Sequence, residues 1–403
     1  MNAEIKTHHE INEVCHLSKK KQIAVICGDA GGTNAIIPVI DLLLNEANIH
    51  LDIFSYREGR KILKKKGLYF TELNETINFN EIIEILQELK IDLLFSDTSL
   101  NSLAQTSLEL EKLFILAAHK LRIPSLAVLD YWSNYTIRFS DNKKNLIYLP
   151  DKIAIMDNLA YNEMILEKFP SESLVITGQP AFSELINWTE KFNDSRKRQI
   201  LTSLGVYLDE YVVIFASEPI LSGNPLHTQY PRYSEESVLE LLISALEKIQ
   251  LEIIRRIVLV IRPHPKENHT KFQRFVSKTI RIIISIEEHT RDIVMSADLV
   301  TGITSTILIE AAMLGCIVVS LQPGLLIKDI LPTNNTGLTQ PIYKEEEMPI
   351  ILKSLLIDPT IRKKVLNSRI GINNENAACK VLDLINSMLN QKFYRGGYMN
   401  ETQ

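Results

Sequence analysis

The sequence predicts an α/β protein of two open parallel-sheet domains that face each other across a cleft. Three observations point there. Short apolar runs alternate with helix-length amphipathic stretches along nearly the whole chain, which is the signature of βαβ units. The alternation restarts near residue 195, after a glycine–proline junction. The chain has 403 residues, 45% hydrophobic and 23% charged, which is enough for two buried cores.

In the first half, QIAVIC (22–27) reads as a strand, followed by a glycine-rich turn and an apolar helical stretch from Ala35 to Glu46. HLDIFSY (50–56) is the second strand, with REGRKILKKKG as its helix. IDLLFSD (91–97), the helix SLELEKLFILAAHKL (107–121) and PSLAVLD (124–130) follow, then KIAIMD (152–157) and SLVITGQP (173–180). In TGQPAF (177–182), Gly178 and Pro180 suit an interdomain turn. The second half opens with SRKRQILTSLG (195–205), a helix closed by Gly205, and the strand YVVIFASEP (211–219). The periodic helix EESVLELLISALEKIQ (235–250) leads to RIVLVIRPHP (256–265), IRIIIS (280–285) and ADLVTG (297–302). A helix STILIEAAMLG, a strand CIVVSLQP (316–323) and the helices EEMPIILKSLL and NAACKVLDLINSMLN complete the series. The expected division is residues 1–190, residues 191–385 and a C-terminal helix or tail, 386–403.

Composition narrows the partners. A formal charge of −5 gives no overall basic field, so nucleic acid is not expected as a ligand. The four cysteines have neither CxxC nor Cys/His ligand spacing, which argues against a structural zinc site or a disulfide framework and fits a reducing cytoplasm. The first residues contain no export-type apolar segment, and no later apolar run is long enough to span a bilayer. LSKKKQ reads as a solvated charge run, although it is compatible with docking at an anionic inner leaflet. The oligomeric state stays open, a homodimer included.

Three motifs carry chemistry. CGDAGGTN (27–34) ends the first strand, and its glycines permit backbone N–H groups to approach an anion or sugar. Gly31, Gly32, Asn34 and Asp29 are candidates there, against the plainer reading of a tight turn capped by Asp29 or Thr33. In RPHP, proline on either side of His264 fixes the strand exit and directs Arg262 and His264 toward an anionic ligand. In GITSTILIEAAMLG (302–315), Thr304, Ser305 and Thr306 stand at a helix amino end suited to an anion, and Glu310 lies one turn further in, placed for the two hydroxyls of a ribose. Ser217 and Glu218 are expected at the exit of a cleft-facing strand. Asp97, Asp130, Trp132, Asn134, Tyr135 and Arg138 are candidates for holding a saccharide, since aromatic faces stack on CH groups and amides bond hydroxyls.

Taken together, the HP motif and the pattern GxTSTxxxEAxxLGxxxxSLQP resemble glycosyltransferases of the GT-B fold, two Rossmann-like α/β/α domains facing across a cleft. EAAMLG followed by CIVVSLQP is shared with the related UDP-N-acetylglucosamine 2-epimerases, whereas HP with the Ser/Thr cluster is similar to bacterial capsule and surface-polysaccharide transferases of the sialyl, Kdo and CDP-glycerol types. The resemblance implies a CMP- or UDP-linked sugar as co-substrate, a glycan or lipid-linked acceptor, and His264 with the 304–306 hydroxyls at the donor phosphate. No DxD-type pair suits a donor metal, so neither cofactor nor metal is expected. If transfer inverts, a carboxylate takes the acceptor's proton: Asp29 is the first candidate, then Asp97 and Asp130. The alternatives are a 2-epimerase or hydrolase on the same fold, or a non-catalytic binding protein.

Overall fold

The computed structural model describes residues 20–98, 109–220, 233–264, 267–286, 289–326, 328–367 and 376–390. Pro265 of the RPHP motif and the amino-terminal charge run before Lys20 lie outside them. The first sheet contains β1 (Lys21–Cys27), β2 (Ile49–Ser55), β3 (Thr71–Glu72), β4 (Leu93–Ser96), β5 (Ser125–Val128), β6 (Lys152–Ile155) and β7 (Leu174–Ile176), in the spatial order 3-2-1-4-5-6-7. The second contains β8 (Tyr211–Ala216), β9 (Ile257–Arg262), β10 (Arg281–Ile284), β11 (Leu299–Gly302), β12 (Val318–Leu321) and β13 (Gln340–Ile342), in the order 10-9-8-11-12-13. Every pairing is parallel. This is the two-domain GT-B architecture.

Apolar runs rather than alternating patterns form the central strands because both faces of each sheet are covered. In β1, Ile23, Val25 and Cys27 join one core while Ala24 and Ile26 join the other. In β8, Val212 and Ile214 face one core, Val213 and Phe215 the opposite one. Two equally apolar faces do not fix the register, so polar groups at the strand starts contribute. Asp92 ahead of β4 accepts from the Gln22 N–H at 2.9 Å, and Asp298 ahead of β11 accepts from the Val212 N–H at 2.9 Å. The same device thus fastens the start of a central strand in each domain.

The domains are joined by packing as well as by chain. One apolar cluster runs from Trp132, Phe182 and Leu185 of the first half to Val300, Leu308 and Ile309 of the second. The helix Pro180–Lys191 lies at this junction, preceded by Gly178 at φ 91°. The next helix, Asp194–Ser203, is closed by Gly205 at φ 67°, as its sequence predicts. The helix Ala377–Asn390 departs from the expected division. Its stripe Ala378, Val381, Ile385 and Met388 packs on the first domain's Ile36 and Ile40, so the chain crosses back before it ends. No helix among the described residues is long and apolar enough to cross a membrane.

Candidate active site in the interdomain cleft

Strand exits from both sheets converge on one cavity of about 450 Å³. From the first domain, the exit of β5 supplies Asp130, Tyr131, Ser133, Asn134 and Arg138. From the second, Glu218 leaves β8, His264 leaves β9, and Thr304, Ser305 and Thr306 link β11 to the helix Thr306–Met313. His264 and Ser305 therefore share one cavity. Across the cleft, the Tyr131 hydroxyl donates to the Thr304 carbonyl at 3.3 Å, and Lys328 pairs with Glu163.

Each exit is held by identifiable bonds. Ser305 is the N-cap of its helix, accepting weakly from the Ile307 N–H at 3.4 Å. Glu218 accepts from both the Thr304 amide and, at 3.0 Å, the Thr304 hydroxyl. Burial, followed by repulsion from Glu267 and Glu235, pushes its pKa up to about 7 against the hydrogen bonds from Thr304. His264 is fixed by Glu267, which accepts from its N–H at 2.7 Å, while the other Glu267 oxygen accepts from Ser217 at 3.1 Å. Ser217 is thereby buried beneath the turn and does not line the cavity.

Arg262 does not join His264 at the cavity. Its guanidinium donates to the Ser285 carbonyl at 3.1 Å and to the Thr290 hydroxyl at 2.8 Å, and it is absent from the cavity wall. The neighbouring β10 ends at Ile284, and Arg262 satisfies the carbonyl just past that end. Glu310 does not line the cavity either: it accepts from Arg291 at 3.2 Å, and Arg291 also lies over the Trp188 ring.

The glycine-rich motif is built differently from its sequence reading. The helix begins at Ala30, so Gly31 and Gly32 form its first turn, and Asp29 is its N-cap, accepting from the Gly32 N–H at 2.8 Å. A β-carbon on Gly31 would lie 2.7 Å from an Asp130 oxygen, and one on Gly32 2.4 Å from an Asp97 oxygen. The close approach that glycine permits here is made by the protein's own carboxylates. Asp97 is buried, accepts from the Gly28 N–H at 3.3 Å, and is held well above the ordinary carboxylate range by burial and then by repulsion from Glu111 and Asp29. Neither Asp29, Asp97, Gly31, Gly32 nor Asn34 lines the cavity.

Asp130 is the carboxylate of this group that does line it. One of its oxygens accepts from Arg138 at 2.5 Å and from Thr98 at 3.3 Å. Burial raises its pKa while the Arg138 charge opposes the rise. Gln179 fixes the loop from behind by donating to the Asp130 carbonyl at 2.8 Å, a contact that gives the GQP junction a bracing role. Trp132 and Tyr135 belong to the frame: the Trp132 indole donates to Asp157 at 2.8 Å and stacks on Phe182, and the Tyr135 hydroxyl donates to Glu163 at 2.8 Å. Both border a second cavity of about 350 Å³. It shares Ser133, Asn134, Lys328 and Ile330 with the first. Asn134 adopts the left-handed conformation, φ 58°, that turns this loop between the two cavities.

Sequence reasoning missed Lys328, Gln322, Tyr233 and Gln179. Gln322 stood in the quoted SLQP tail, one residue beyond a strand, which was the available signal; Lys328 follows no motif. Among the described residues there is no group of three or more His, Cys, Asp or Glu arranged to hold a metal.

Solved structures share this architecture. UDP-GlcNAc 2-epimerase from Neisseria meningitidis, bound to UDP-GlcNAc, superposes with a TM-score of 0.66 at 15% identity, covering 91% of this chain and 100% of that one. Anabaena Alr3699/HepE in complex with UDP gives 0.61 at 12%, covering 91% and 100%. Acinetobacter baumannii MurG gives 0.58 at 11%, covering 91% and 99%. At these identities the likeness is one of fold. No curated protein matches the sequence. A family profile described as "Protein of unknown function (DUF354)" matches residues 57–340, a span that includes the strand exits lining the cavity and begins after the glycine-rich motif. The chain belongs to the DUF354 family.

Proposed function

We propose that the protein is a glycosyltransferase of the bacterial surface-polysaccharide type, moving a sugar from a CMP- or UDP-linked donor to a glycan or lipid-linked acceptor without a resident metal. The observation that carries this reading is the convergence of His264 and the 304–306 amino end from one domain with Asp130 and Arg138 from the other around a single cavity.

In glycosyl transfer, positive charge develops at the anomeric carbon and negative charge on the departing phosphate. The amino end of the Thr306–Met313 helix and the Lys328 ammonium supply positive potential for that phosphate, and the His264 imidazole is a hydrogen-bond donor to it. Asp130 takes the role of general base toward an acceptor hydroxyl, because it reaches the cavity while Asp29 is used as a helix cap. The adjoining second cavity provides room for an acceptor, which favours transfer over release of free sugar. Peripheral docking at the inner leaflet of the membrane would bring a lipid-linked acceptor within reach of this cleft.

The test is a thermal-shift panel of CMP, CDP, UDP, GDP and their sugars, followed by turnover with and without saccharide acceptors. A ligand at about 100 times its Kd stabilises the folded state by about 2.7 kcal/mol, a readily measured rise in Tm. No shift with any nucleotide would remove the reading. Acceptor-free turnover would instead indicate the epimerase or hydrolase reaction, and activity lost in EDTA and restored by Mn²⁺ would overturn metal independence.

A further inference from the structure

The cavity contains an anion of its own at the place where the reading above puts the donor's phosphate. Glu218 leaves β8 and its carboxylate accepts from both the amide and the hydroxyl of Thr304. Thr304 precedes Ser305, the N-cap of the eight-residue helix Thr306–Met313, so these are the outermost donors of that amino end. A phosphate arriving there meets a carboxylate already in its place. Two anions a few ångströms apart in a partly buried site repel strongly, and one must leave or become neutral.

The surroundings of Glu218 make neutralisation accessible. Glu267 from the β9 exit and Glu235 from the helix Glu235–Gln250 both disfavour its charge, and Lys271 lies between those two, at 2.7 and 2.6 Å. Asp329 adds further negative charge near the tyrosines Tyr131 and Tyr233 that face Glu218. The basic side chains lining the same cavity are Arg138, paired with Asp130, Lys328, paired with Glu163, and His264. Burial is the largest influence and the repulsion a smaller one, and against the Thr304 hydrogen bonds they push the Glu218 pKa up to about 7.

We propose that Glu218 is an internal stand-in for the donor's phosphate, giving up the Thr304 donors in protonated form when the nucleotide sugar binds, so that donor binding takes up a proton. The inference rests on the reading of this cavity as a nucleotide-sugar site. It makes donor affinity a function of pH through Glu218.

The experiment measures the Kd of UDP-N-acetylglucosamine and of CMP-, CDP- and GDP-linked sugars from pH 6 to 9, using calorimetry in buffers of different ionisation enthalpy. The phosphates of these sugars are diesters and do not titrate in that range. For the wild type, Kd is expected to rise about tenfold per pH unit above the Glu218 titration, with uptake of up to one proton at pH 8. Glu218→Gln should bind more tightly than wild type at pH 8 and lose that slope, whereas His264→Gln should bind more weakly at every pH and retain it. An unchanged slope in Glu218→Gln, a slope lost in His264→Gln instead, or no proton uptake by the wild type would overturn the inference and leave the site reading standing. Failure of every nucleotide sugar to bind the wild type at any pH would overturn both. The proton-uptake measurement needs no variant, so a folding defect in Glu218→Gln cannot shield the idea.

Discussion

Two helix amino ends in this molecule look alike in sequence and differ in use. The one after β1 carries Gly28, Gly31 and Gly32; the one after β11 carries Gly302 and three hydroxyl residues. At the first, Gly28 and Gly32 amides donate to Asp97 and Asp29, and Asp130 presses against Gly31, so protein carboxylates already occupy the positive end of the helix. At the second, Gly302 serves strand packing, since a β-carbon there would lie 2.8 Å from the Ala216 carbonyl, and the hydroxyl residues beyond it open onto the cavity with one carboxylate, Glu218, in attendance. A helix amino end is thus an anion site only to the extent that the chain has not filled it with its own acids.

The comparison makes its largest prediction at Asp130, the acid that belongs to the filled end yet reaches the cavity. Asp130→Asn should lower turnover by roughly 10²–10⁴-fold while leaving nucleotide binding in place. Steady-state kinetics beside a nucleotide titration checks both halves; near-normal turnover would return the base to another carboxylate. Next in size is Gly32→Ala. Its methyl group meets the buried Asp97 side chain at 2.4 to 2.8 Å, with three atoms of that side chain in the way. The cost should be about 3 kcal/mol of stability, read as a shift in the denaturant midpoint. A neutral result would mean that the filled end is looser than its geometry implies.

How much of this was legible beforehand follows the range of the interactions involved. The strands other than β3 and β13, the Gly205 helix stop and the Thr304–Thr306 helix start are local patterns, and each is where the sequence puts it. What decides the fate of Asp29 and the glycines is not local: Asp97 and Asp130 come from strands far along the chain, and a glycine signals close approach without naming the visitor. Arg262 and His264 were paired because they are two residues apart, but the early end of β10 offers Arg262 a carbonyl that no reading of RPHP contains. Trp132 and Tyr135 are polar-tipped aromatics in a loop, and only the positions of Asp157 and Glu163 show that their tips are used internally.

At the open end, Glu218→Gln tests the comparison through stability. The Glu218 pKa is raised from 4.5 to about 7, so between those values the folded protein keeps a proton that the unfolded chain has released. The wild type therefore loses stability as pH rises through this window, and the loss is complete above about pH 7. A glutamine does not titrate, so the variant's advantage should grow between pH 4.5 and 7 and reach on the order of 3 kcal/mol at pH 8. Thermal melts at pH 5 and pH 8 give the comparison; an advantage of equal size at both would mean that Glu218 ionises freely.

The smallest effect belongs to Asp29, and its smallness is what makes it informative. As an N-cap, Asp29 needs only an oxygen that accepts from the Gly32 amide, and asparagine provides one in nearly the same position. Asp29→Asn should therefore change stability by less than about 0.5 kcal/mol and leave turnover near normal, while Asp29→Ala, which removes the acceptor, should cost about 1 kcal/mol. A catalytic base would behave in the reverse manner, since the amide cannot take a proton and turnover would fall in Asp29→Asn as far as in Asp29→Ala. The kcat of Asp29→Asn relative to the wild type thus separates a cap from a base, because the amide keeps the acceptor oxygen that a cap needs and loses the charge that a base needs.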